Sequence, residues 1–186
     1  MRQLGKAELA PICFFLLLVA VEAGFIAYSN LENQRLAPQA VAPPVSPSLK
    51  KLSAPTLTCY RIGAYDRAQP GILANMREDN FEDLSFLGTF YRECGRWSQA
   101  RKYLERSLTL AQTSGDRKRT VIALNNLGML SCIEGTTLSG KERQETFEES
   151  EQYFQRALQE LKELNEPQLS QTVMSNHRLL QTNRSS

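Results

Sequence analysis

The sequence predicts an all-α protein. It reads as a short helical-repeat solenoid of about two repeats plus a capping helix, preceded by one transmembrane or signal helix and a proline-rich linker. Three observations carry this reading. One pattern occurs twice: Leu84-x-x-Leu87-Gly88, followed by Gly95, Ala100, Leu104 and Ser107, and Leu124-x-x-Leu127-Gly128, followed by Gly135, Ser150, Phe154 and Ala157. Self-similarity at a spacing of a few tens of residues marks helix-pair units, each of which needs a neighbour to bury its apolar face. An apolar run opens the chain, and a stretch holding Pro38, Pro43, Pro44, Pro47 and Pro55 separates it from the repeats.

Taken in order, residues 1–30 form the membrane-directed segment. Arg2 and Lys6 precede an apolar run that extends from Leu9 to Tyr28 and is broken by Glu22. Its length is about the 20 residues a helix needs to cross a bilayer. The basic flank holds the N-terminus in the cytoplasm, so the remainder is exported. An uncleaved signal anchor is the first expectation. A signal peptide cleaved after Ala23, within Val21-Glu22-Ala23, is the alternative, and an apolar soluble helix is the third reading. Cys13 lacks the small-residue context of a lipoprotein signal.

Residues 31–56 favour extended polyproline conformations and cannot build a core, so they read as a spacer. Residues 57–80 are an uncertain capping segment. Pro70-Gly71 reads there as a turn or helix start, and Ile72, Leu73 and Met76 stand at helical spacing. Asp79 or Asn80 is the expected N-cap of the next helix. The repeats occupy 81–168, and 169–186 is a capping helix and tail. In the second copy the interval from Gly135 to Ser150 is about ten residues longer than in the first. We expect an insertion forming a loop, with Glu142, Glu145, Glu148 and Glu149 lengthening the start of the helix that follows.

The doubled pattern resembles the tetratricopeptide repeat family, whose unit is a helix–turn–helix of about 34 residues. Gly88 and Gly128 match its small residue in helix A, Gly95 and Gly135 its turn, Ala100 and Ser150 the first small residue of helix B, and Ser107 and Ala157 the second. Leu104 and Phe154 match the large apolar position. Tyr91 matches an aromatic position from which Ser131 departs, and Pro167 stands where helix B often stops. The resemblance implies a concave groove lined by helix A, with Ser85, Thr89 and Arg92 in the first copy, Asn125, Met129 and Cys132 in the second, and Ile122 at the edge. Plain inter-helix packing is the alternative for all of these. Ser85 and Thr89 stand where chaperone-clamping members carry Lys and Asn, which argues against that ligand.

The net charge of +2 gives no argument for nucleic acid. Charge is patterned locally. Arg96, Arg101, Lys102 and Arg106 make one helix basic, Arg117, Lys118 and Arg119 make the next loop basic, and the second copy's helix B is acidic. This reads as solvated faces, or as a polarised surface that orients a partner. There is one histidine, His177, and no phosphate-cradling loop or metal-spaced cluster. No enzyme activity and no cofactor are therefore expected. Cys94 and Cys132 fall near the ends of successive A helices, which leaves open a disulfide or two buried thiols. The expected function is a membrane-anchored adaptor or assembly factor that binds a protein or peptide partner. Self-association of a structural membrane component is the alternative, with Cys-based redox chemistry behind it.

Overall fold

A computed structural model describes Ser48 and residues 51–185, and every element there is helical. The expected signal or transmembrane helix at 1–30, and nearly all of the linker, lie outside the described residues. Among the described residues no helix is long and apolar enough to cross a membrane.

Two short helices open the domain, α1 (Ala54–Arg61) and α2 (Tyr65–Leu73). Ser53 caps α1, and Pro55, counted above with the spacer, sits in its first turn, where proline loses no helical hydrogen bond. Pro70 and Gly71 do not make a turn; both lie inside α2. A Cβ on Gly71 would stand 2.3 Å from Thr56 Oγ1, so glycine is what lets the two helices cross this closely. The pair caps the first repeat through aromatic packing. The Tyr60 ring lies 5.6 Å from Phe86 and the Tyr65 ring meets Phe90 edge-on at 5.8 Å.

The first repeat is α3 (Phe81–Glu93) and α4 (Trp97–Thr113). Asn80 is the N-cap, its side chain accepting from Asp83 N at 3.0 Å. Asp83 is fully buried and accepts from Ser48 Oγ at 2.8 Å and Arg77 N at 2.9 Å, which ties the end of the spacer to the start of α3. Gly95 takes φ +68 in the turn, as its position predicts. Gly88 allows α3 to approach Leu104 on α4.

The second repeat is α5 (Arg117–Thr136) and α6 (Gly140–Leu161). Here the expected loop is absent. Gly135 is not in the turn but inside α5, buried, with the Phe147 ring lying over it; the left-handed glycine is Gly140, at φ +59. The extra residues have gone into longer helices, because Phe147 on the extended α6 finds its apolar contact above Gly135 on the extended α5. Of the glutamates, Glu142 lies in the first turn of α6, where an acid complements the helix dipole, and Glu145, Glu148 and Glu149 follow in the next turns.

The last helix, α7 (Pro167–Ser185), begins at the proline that was expected to end its predecessor. It buries Leu169, Val173, Asn176 and Leu180 and exposes Met174. One continuous core runs from Leu52 to Leu180, with Phe90, Leu104, Leu127 and Phe154 closed to solvent at its centre.

Candidate functional site: the concave side of the repeats

Four described helices contact α5: α3, α4, α6 and α7. At 3.6 residues per turn its side chains divide among them. Gly128 and Gly135 meet Phe154 and Phe147 of α6, and Ser150 Oγ donates to Gly128 O at 2.7 Å. Ser131 and Glu134 receive Arg101 of α4. Asn125 Oδ1 accepts from Asn176 Nδ2 of α7 at 2.9 Å, and Asn183 Nδ2 reaches Cys132 Sγ at 3.5 Å. Ile122, Asn126, Met129 and Ile133, spaced i, i+4, i+7 and i+11, form the remaining strip, buried except for the half-buried Ile133.

The six residues assigned to the groove therefore separate. Asn125 and Cys132, both 0 % exposed, join α5 to α7 and serve helix packing. Thr89 Oγ1 donates to Ser85 O at 3.1 Å and so spends its hydroxyl on its own helix. Ser85 is fully buried and its Oγ has no hydrogen-bond partner. Met129 lies on the remaining strip, 1 % exposed. Arg92 is 8 % exposed, and its carbonyl accepts from Gly95 N at 2.9 Å. Burial pulls its pKa down, while the nearby Glu93 and Tyr60 hold it up. Asn126, absent from the expected set, is 3 % exposed with no partner for its Nδ2. The signal for it was the i, i+4 relation to Ile122, which the sequence reading placed only at the groove's edge.

Apolar residues thus dominate the strip, and the Asn126 amide on it is a donor without a partner. Such a face suits a chain that brings apolar side chains and an acceptor.

The patterned charges do something else. Arg101 of basic α4 bonds Glu134 and Glu149, each at 2.8 Å, and Glu149 also accepts from Ser131. Arg106 bonds Glu78, Arg96 bonds Asp66, Arg117 bonds Glu163, Lys118 bonds Glu166 and Arg119 bonds Glu82. The opposite signs seen along the sequence pair with one another across neighbouring elements, mostly at exposed side chains.

His177 is also structural, its Nε2 lying 2.8 Å from Glu151 Oε1 across the α6–α7 contact. Cys59, Cys94 and Cys132 are free thiols. The Cys94–Cys132 bridge does not form, because α5 runs past the expected turn and Cys132 faces Asn183 of α7 instead. Desolvation pushes the thiol pKa of Cys94 and of Cys132 up, which disfavours the reactive thiolate. Among the described residues no group of His, Cys, Asp and Glu is placed to hold a metal ion.

Comparison with known families places this arrangement. Residues 84–134 match the family model described as Tetratricopeptide repeat, a span covering α4 whole and nearly all of α3 and α5. No curated protein matches the chain. The match takes in Gly88, Gly95 and Gly128 and the helices that carry them: residues 84–134 form a tetratricopeptide-repeat region.

Proposed function

We propose that this chain is a membrane-anchored adaptor or assembly factor whose repeats bind a helix or extended segment of a partner protein. The observation that carries the reading is the strip Ile122–Asn126–Met129–Ile133, apolar except for an amide donor without a partner. The tetratricopeptide-repeat match over residues 84–134 supports a protein partner. Arg2, Lys6 and the apolar run from Leu9 to Tyr28 support anchoring with the N-terminus in the cytoplasm and the repeats exported. The spacer to Ser48 then holds the domain off the bilayer.

Two measurements test this in intact cells. Protease added to spheroplasts digests a tag on the C-terminus while the protein keeps its full-length mass in the membrane; a protected tag overturns the topology. A photo-crosslinking residue at Ile133 gives protein adducts that the same residue at Thr109, exposed on α4, does not. Identical adducts from both positions overturn the binding face.

A further inference from the structure

The last helix is held differently from the others. α7 buries Leu169, Val173 and Leu180, and its fourth buried residue is Asn176. There Asn176 Nδ2 donates to Asn125 Oδ1 of α5, but the return bond does not form. Asn125 Nδ2 and Asn176 Oδ1, on residues 0 % and 1 % exposed, have no hydrogen-bond partner among the described residues. Docking α7 therefore takes one donor and one acceptor away from water without pairing them, and undocking returns both to water. On the α6 side a single carboxylate gathers the polar contacts. Glu151 lies 2.8 Å from His177 Nε2, accepts from Gln181 Nε2 at 2.7 Å and stands 3.8 Å from Arg184 Nη1. The root of the helix is fixed separately. In the connection 162–166, Glu163 pairs with Arg117 and Glu166 with Lys118, both at the start of α5. A short set of buried apolar groups, an incomplete buried joint and a pinned root describe an element that opens locally, well below the free energy of global unfolding.

We infer that α7 is a displaceable strap, and that the α5–α6 face beneath it takes in its place a basic amphipathic helix of a partner protein. The face specifies this occupant. Apolar residues at i, i+4 and i+11 take the places of Leu169, Val173 and Leu180. A cation meets Glu151, to which α7 now offers His177 and Arg184. The charge is complementary along the helix: α7 holds no acidic residue from Pro167 to Ser185, and α6 opposite it is rich in glutamate. At i+7, a side chain with both a donor and an acceptor in reach completes the Asn125 amide, which Asn176 satisfies only at its oxygen. Undocking uncovers Asn125 and Cys132, both closed to solvent and both among the residues that the repeat resemblance assigns to a groove. This face is separate from the strip Ile122–Asn126–Met129–Ile133 and does not depend on it.

The test uses the full chain in detergent, with Cys13, Cys59 and Cys94 replaced by Ser and with Ser107→Cys as a second buried thiol on α4. Circular dichroism checks the fold. Maleimide labelling, read by mass spectrometry, should modify Cys132 at least tenfold faster than the thiol at position 107. Undocking of α7 exposes the first, whereas the second waits for the first repeat to unfold. In a second arm, a fluorescein-labelled peptide of residues 167–186 stands in for the partner helix and raises fluorescence anisotropy with the full chain. Asn183→Cys, oxidised to a disulfide with the Cys132 sulfur that Asn183 already contacts, locks the strap and abolishes that rise; dithiothreitol restores it. Equal labelling rates at the two thiols overturn the inference. So does a peptide that leaves the unlocked chain's anisotropy unchanged, or one that binds the locked chain equally well.

Discussion

Gly88→Ala puts the packing argument at risk in a single methyl group. A Cβ at this position would lie 2.4 Å from both Cγ and Cδ2 of Leu104 and 3.3 Å from Ala100 O. Ordinary carbon contacts are about 3.5–4.0 Å, so Leu104 would have to retreat by more than an ångström. It is 0 % exposed and has nowhere to go. Two effects compete. Alanine is the better helix former by about 1 kcal/mol. Overpacking a filled core costs about 1–3 kcal/mol. With a contact this short the steric effect wins, and the expected net loss is roughly 1–2 kcal/mol. Urea unfolding of the full chain in detergent, followed by circular dichroism, reads this as a lower midpoint at unchanged slope. Leu104→Ala alone should cost about 2–5 kcal/mol, and the double variant should cost less than the sum, since each change makes room for the other. A midpoint raised by Gly88→Ala, or strict additivity in the double variant, would refute the claim that Gly88 is there for helix approach.

Three further outcomes follow from the same contacts. Asn125→Ala strands the Asn176 amide and should cost about 1–3 kcal/mol, whereas replacing both by Leu should recover most of that stability in the same unfolding assay. Arg101→Ala leaves Glu134 and Glu149 facing each other between the repeats; a loss of about 1 kcal/mol is expected, reduced in 1 M salt, and a salt-independent loss would show that packing of the Arg101 stem matters more. For Glu151, burial raises the carboxyl pKa, but hydrogen bonds from Gln155, His177 and Gln181 and the charge of His177 outweigh it, so the folded value lies below the ordinary 4.5. Its contribution to the α6–α7 contact is therefore complete above pH 4.5 and disappears as pH falls through the lower folded value. Glu151→Gln should lose this part of the acid dependence, which unfolding midpoints measured across that window would register.

Much of the helical scaffold was legible because its determinants are local or periodic. The doubled Leu-x-x-Leu-Gly pattern, the cap at Asn80 and the left-handed Gly95 each express a constraint that a few neighbouring residues impose. The family match over residues 84–134 takes in both Leu-x-x-Leu-Gly stretches and Gly95. The misread elements are those whose conformation depends on a distant side chain. Gly135 looks like a turn residue, and only Phe147 packing over it keeps it inside α5. Pro70-Gly71 looks like a break, and only the close crossing with Thr56 explains a glycine within α2. Basic and acidic stretches read as solvated faces, and only the packing of the helices shows that Arg101 and Glu149, remote in the chain, pair. The groove divides in the same way. Repeat spacing identifies the A helices, which the family resemblance assigns to a groove. Which of their residues face it depends on the rotation of α5 about its axis, and that is set by Phe154 at Gly128 on one side and Asn176 at Asn125 on another. A sequence determines which residues share a helical face; packing against neighbours determines what that face meets.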